Sequence, residues 1–160
     1  MESFIYVAPV LGVIALVFAF ILSGKVSKEE VGTDRMKEIS TAISEGAHAF
    51  LTAEYKILVI FIIVLFILIG LGIGFGSAIA FVVGTLFSIL AGYFGMSVAT
   101  KANVRTANAA RNSGMNRALS IAFSGGAVMG MSVVGLGLLG VSIFYMVTND
   151  TNILFGFSLG

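Results

Sequence analysis

The sequence predicts an all-α integral membrane protein with four transmembrane helices, two of them extended into the cytoplasm, and with both chain ends outside. Three observations carry this expectation. Hydrophobic residues make up 58% of the chain and charged residues 11%, whereas soluble domains carry roughly 25% charged residues. Four apolar runs lie at about 4–22, 57–75, 76–98 and 125–147, each near the ~20 residues that cross a bilayer core as a helix. All nine Lys and Arg residues fall outside those runs, in two groups. Lys25, Lys28, Arg35, Lys37 and Lys56 form the first group, and Lys101, Arg105, Arg111 and Arg117 the second. The positive-inside rule then assigns 23–56 and 99–124 to the cytoplasm.

The first run carries Pro9 near its outer end, where a helix tolerates proline best. The opening MESFIYVAPV has neither a basic n-region nor a small-residue cleavage site, so the run reads as a retained span. After it, Ser27 to Glu30 (SKEE) fits a capping box. From Asp34 onward, Met36, Ile39, Ile43, Ala47 and Phe50 recur at helical spacing, with the polar residues largely on other faces. A helix from Asp34 to Phe75 would measure about 63 Å at about 1.5 Å per residue. A bilayer core is only about 30 Å thick, so roughly half of that helix would stand in the cytoplasm with an apolar stripe to cover.

The second and third runs meet at GLGIGFG, a glycine-rich turn without a charge. The third run continues through SVATKANVRTANAAR, an alanine-rich stretch with good helix propensity. Two protruding helices could then pack together as a cytoplasmic platform. Gly76, Ala80, Gly84, Ser88 and Gly92 form a ladder of small residues that allows close helix approach, as do Gly126, Gly130 and Gly137 in the fourth run. Helix packing explains these ladders better than a pore lining.

Several classes of function are excluded or weakened. The basic residues sit between apolar spans rather than on a basic patch of a soluble fold, which argues against a nucleic-acid partner. Absence of cysteine rules out disulfides and thiol metal sites. None of the four runs contains Asp, Glu, Lys, Arg or His, the groups that serve as ion sites and proton relays inside membranes. The spans therefore read as scaffold, and a small channel or a rotor-ring subunit fits poorly.

Candidate chemistry outside the runs is thin. His48, the only histidine, has Glu45 and Thr52 as neighbours, short of a metal ligand set. Glu45 and Glu54 are too far apart in sequence to form an evident acid/base pair. Lys56 and Lys101 lie at span borders, where snorkelling is the ordinary role. Arg105 and Arg111 could contact phosphate bidentately, against a plainer role in anchoring and ion pairing with the acidic first segment. Gly135 to Gly140 (GLGLLG) satisfies G-x-G-x-x-G. It lies inside an apolar run, without the strand before it or the acid about 20 residues on that a dinucleotide loop needs. A phosphate there would meet a severe desolvation cost.

Several blocks together resemble the membrane-bound, ion-translocating pyrophosphatases. They are MKEIS (Met36 to Ser40), EGAHAFLTAEYK (Glu45 to Lys56), AGYFGM (Ala91 to Met96), ANVRTANAAR (Ala102 to Arg111) and GGAVMGMSVVGLGLLG (Gly125 to Gly140). The resemblance implies a homodimer with about sixteen spans per subunit in two rings, embedded in the lipids of the cell membrane. It implies hydrolysis of pyrophosphate at the cytoplasmic face with magnesium, and export of protons or sodium, with potassium dependence left open. By the same resemblance the first four spans belong to the outer ring. The family holds magnesium pyrophosphate with repeated aspartates and lysines in D-x-x-x-D-type motifs. This chain has only Asp34 and Asp150, neither in such a motif, so no catalytic, cofactor-binding or metal residue is carried over. Residues 1–160 therefore read as the N-terminal membrane segment of a larger pump, inactive alone and completed by the remainder of that pump. The tail ILFGFSLG resembles the start of a fifth span. The alternative is a self-contained four-helix scaffold or assembly subunit without catalysis.

Overall fold

Four long helices and a short fifth account for nearly all of the chain, with no strand among the described residues. The structure, a computed structural model, describes residues 2–160, and burial from Tyr6 onward. Helix α1 is Glu2–Lys28, α2 Asp34–Gly72, α3 Phe75–Asn112, α4 Met115–Thr148 and α5 Thr151–Leu159. The first four are long and apolar enough to cross a membrane, and the protein is an integral, multi-pass membrane protein.

Helices α2, α3 and α4 contain 39, 38 and 34 residues, which makes them about 50–58 Å long. At 27 residues, about 40 Å, α1 exceeds a bilayer core of about 30 Å by the least, and three helices outrun it by about 20 Å or more, where the sequence pointed to two. The added one is α4, which begins inside the 99–124 stretch. Its first turns are held because Ala118 and Ile121 bury against Ala109 of α3, so the basic stretch is helical except at Ser113 and Gly114.

The connections are short, which forces consecutive long helices to run antiparallel. GLGIGFG is mostly helix: only Ile73 and Gly74 lie outside α2 and α3. Gly74 adopts φ 144°, a backbone state that only glycine enters cheaply. Asn149, left-handed at φ 52°, closes α4 by donating its N–H to Tyr145 O at 3.0 Å.

The expected capping box at Ser27 is absent. Ser27 lies in the last turn of α1, and the cap of α2 is Thr33, whose hydroxyl accepts from Met36 N at 3.3 Å. Carbonyls at Ser27, Glu29 and Glu30 are engaged by side chains from α3, which holds this stretch as the end of α1 and not the start of α2.

Helix α3 is the centre of the bundle and touches each of the others. Ala19 and Val26 of α1 meet Val98 and Ala102 of α3 and Val128 of α4 in one buried cluster. Ile69 of α2 packs with Ala78 and Phe81 of α3 in a second. The α1–α4 crossing is close: a Cβ on Gly12 would sit 2.9 Å from Gly135 O. As expected, α2 and α3 stay together beyond the apolar runs, down to Ser44 and Leu51 against Met96 and Thr100.

Of the stripe read from the sequence, Met36 and Ala47 lie on the covered side of α2 and the other three do not. Met36, Ser40, Ser44 and Ala47 are half-buried and Leu51 is buried, whereas Ile39, Ile43 and Phe50 are exposed. Small side chains let α2 approach α3, and the bulky apolar ones turn outward. The glycine ladder of α4 is also revised. Nothing lies within 4 Å of a Cβ on Gly126, Gly130 or Gly137, while Gly125, Gly135 and Gly140 are in tight contact.

Candidate functional site

The densest polar cluster sits at the basic end of the bundle, where α1 ends against α3 and α4. Helix α1 leaves its last carbonyls without intrahelical partners, and they carry the negative end of the helix dipole. Arg105 meets them. Its Nε donates to Glu29 O at 3.0 Å, one Nη donates to Ser27 O at 3.3 Å, and the other to Lys101 O in its own helix at 2.8 Å. Asn108, 5% exposed, donates through Nδ2 to Glu30 O at 3.2 Å and accepts from Asn112 Nδ2 at 3.0 Å. Gly32, at φ 93°, turns the chain past Asn108. Arg117 of α4 reaches Glu29 Oε1 at 2.6 Å.

These groups surround a polar cavity of about 310 Å³ whose lining includes Lys28, Glu29, Glu30, Arg105, Asn108 and Arg117. Its cations are largely committed. Arg105 spends three donors on backbone carbonyls, and Arg117 is paired with a carboxylate. What the arrangement does chemically is to clamp the α1–α2 connection onto the α3–α4 hairpin. Of the two readings of Arg105, anchoring is the one that these contacts serve, although its partners are carbonyls and not the acidic side chains. Arg111 stands apart in the exposed last turn of α3, where a cation complements the dipole.

The remaining candidates are not brought together. His48 is exposed, with its ring 6.1 Å from that of Tyr93. Glu45, Glu54, Lys56 and Lys101 are exposed along α2 and α3. Asp34 lies in the first turn of α2, and Asp150 caps α5 by accepting from Asn152 N at 2.8 Å. Magnesium pyrophosphate needs several oxygen ligands around the metal. Among the described residues no three His, Cys, Asp or Glu gather in such a set, and the two aspartates sit at the starts of different helices. These residues do not fit that group.

GLGLLG is a stretch of helix packing. Gly135 meets Gly12 and Leu16 of α1, and Gly140 meets the ring of Phe157. The small-residue ladder of α3 finds its partner in α5: Gly76 faces Ile153, Gly84 faces the Phe157 carbonyl, and Ser88 Oγ donates to Gly160 O at 2.9 Å. On the α5 side the contacts are backbone on backbone, Gly156 against Ser77 and Gly160 against Phe81 and Thr85. The signal for these two glycines was in the sequence: GFSLG is a G-x-x-x-G step, the spacing that lets membrane helices touch. Asn108 had no such signal. An asparagine in an alanine-rich helix reads the same whether it faces solvent or a helix end.

Comparison with known proteins completes the picture. Residues 13–160 match the family model described as inorganic H+ pyrophosphatase. A Clostridium tetani protein named "Putative K(+)-stimulated pyrophosphate-energized sodium pump" is 55% identical over the whole of this chain and 24% of its own length. A Methanosarcina mazei protein named K(+)-insensitive pyrophosphate-energized proton pump is 44% identical over the whole chain, again 24% of its own length. A Thermotoga maritima protein named K(+)-stimulated pyrophosphate-energized sodium pump is 42% identical over 84% of the chain and 19% of its own length. The chain thus spans about a quarter of the relatives that it matches end to end. A long-helix membrane bundle, matched over nearly its full length by one family model, belongs to the inorganic H+ pyrophosphatase family.

Proposed function

We propose that this chain is the N-terminal, outer-ring segment of a pyrophosphate-energised proton or sodium pump. The carrying observation is the full-chain similarity to relatives named as such pumps, joined to spans without ionisable groups. In this reading the segment is scaffold. It contributes a rigid set of long helices, clamped at the basic end by Arg105 and Asn108, against which the remainder of the pump assembles as a homodimer among membrane lipids. Pyrophosphate, magnesium and, in potassium-stimulated members, potassium act on residues outside this segment. The boundaries proposed for the membrane spans are about 4–22, 57–75, 76–98 and 125–147, with 23–56 and 99–124 in the cytoplasm.

The test is direct. The purified 160-residue chain is expected to release no phosphate from pyrophosphate with magnesium, while the complete polypeptide encoded by its gene hydrolyses it and acidifies or loads vesicles with sodium. Magnesium-dependent hydrolysis by the short chain would overturn the assignment of catalysis elsewhere.

A further inference from the structure

Helices α1 and α2 are joined by a short connection at the basic end of the bundle, yet along their spans they scarcely touch. Helix α1 leans chiefly on α4, and α2 leans on α3. A cleft therefore opens between them, with α3 as its floor. Part of it is a cavity of about 310 Å³ walled by Leu16 and Phe20 of α1 and by Leu90, Tyr93 and Phe94 of α3. Leu86, Leu90 and Phe94 are exposed along the floor at four-residue spacing, so they share one face of α3. Gly84 and Ser88, which meet α5, lie on the other side of that helix.

The floor changes character at a definite depth. Counted from Phe75, a bilayer core of about 30 Å takes about 20 residues of α3 and ends close to Phe94. Ser97 and Lys101 continue the same row into the headgroup layer. On the α2 wall the ring of His48 stands 6.1 Å from that of Tyr93, and Thr52 and Lys56 follow His48 at four-residue spacing. Tyr55 donates to Ile89 O at 3.3 Å, while Leu51 lies by Met96 and Thr100. Lys56 therefore starts nearer the membrane centre than Lys101. Side chains on a helix lean toward its N-terminus. In the antiparallel α2 and α3 this brings the two lysines together in depth, Lys56 leaning toward the cytoplasm and Lys101 back toward the core. Both are exposed and, among the described residues, neither forms an ion pair.

We propose that this cleft binds an anionic phospholipid of the cytoplasmic leaflet, with one acyl chain along Leu90 and Phe94 and the phosphate between Lys56 and Lys101. An apolar trough that ends in two cations at headgroup depth complements a molecule that is apolar along its length and negative at its head. A neighbouring helix would cover the trough but leave both ammonium groups without a counter-charge. The lipid joins α1 to α2 where the protein itself does not.

The test uses the complete polypeptide encoded by the gene, purified in a neutral detergent and stripped of lipid. Phosphatidylglycerol with a photoreactive acyl chain is added, and the labelled peptides are mapped by mass spectrometry. Label is expected on the peptide holding Leu16 and Phe20 and on that holding Leu90 and Phe94. Excess phosphatidylglycerol is expected to displace it, and phosphatidylcholine is not. Lys56→Gln and Lys101→Gln are each expected to weaken labelling about fivefold, and together about thirtyfold, the scale of one and two lysines at an anionic membrane surface. Lys56→Arg and Lys101→Arg keep the charge and are expected to label as the unsubstituted protein does, which separates lost binding from lost folding. Lys25→Gln is the control. Lys25 is basic and exposed in the last turn of α1, but it stands about 140° round that helix from Phe20, so its loss is expected to change nothing. Equal displacement by phosphatidylcholine, or an equal loss in Lys25→Gln, reduces the cleft to ordinary lipid contact and overturns the proposal. Absence of label from both peptides places protein in the cleft and does the same. Displacement by inorganic phosphate assigns the lysines to a soluble anion and also overturns it.

Discussion

Arg105 and Arg117 show how differently two arginines of one cluster act. Arg105 is half-buried and divides its donors among three carbonyls, two of them at the end of α1. Arg117 makes one ion pair with more than half of its side chain exposed. Hydrogen bonds from a charged group onto backbone carbonyls contribute about 1.5–3 kcal/mol, while exposed pairs contribute about 0–1 kcal/mol. Arg105→Ala is therefore expected to destabilise the folded chain by about 2 kcal/mol in a detergent unfolding titration, and Arg117→Ala by less than about 1 kcal/mol. Equal effects would show that the carbonyl clamp has no special weight. The basic character of both positions was legible from the sequence. The partners of Arg105 were not, because Ser27 and Glu29 lie far from α3 along the chain and offer carbonyls, which every residue has.

At the level of helices, glycine separates contact from open surface. Gly12 and Gly135 bring α1 and α4 together, with a Cβ at Gly12 only 2.9 Å from a backbone oxygen that cannot turn aside. Gly12→Ala is expected to cost about 1–3 kcal/mol through forced separation of the helices. Gly126→Ala, with open space around it, is expected to stay within about 0.5 kcal/mol or to stabilise slightly, since alanine is the better helix former. Measuring both by the same unfolding titration checks the assignment, and a costly Gly126→Ala in the isolated chain would refute it. The helices themselves were readable in advance. The long α2 and α3 follow from uninterrupted helix-forming sequence, and the G-x-x-x-G step of α5 was there to be seen. Which face of α2 meets α3 was not readable: Ser44, Ala47 and Leu51 line the contact while Ile39, Ile43 and Phe50 stay exposed.

For the molecule as a whole, the distribution of charge makes a further claim that experiment can check. Every Lys and Arg except Lys56, which stands near the middle of α2, lies toward one end of the bundle, which the positive-inside rule assigns to the cytoplasm. In oriented membranes, Asn112→Cys is expected to react with a membrane-impermeant maleimide only from the inner side, and Asn149→Cys only from the outer side. The reverse pattern would invert the bundle and place the clamp outside. Membrane class, the four spans, the long second and third helices and the family are consequences of the sequence by itself. Composition, run length and charge placement decide how a chain divides between water and lipid, and these are readable residue by residue. Tertiary structure alone decided that Arg105 ends α1, that α2 turns its bulky apolar residues away, and which glycines touch. In a bilayer a lipid tail and a neighbouring helix are equally apolar, so hydrophobicity cannot tell a packed face from a lipid face. That choice is made by the fit of small side chains against backbone, and it exists only once the helices have met.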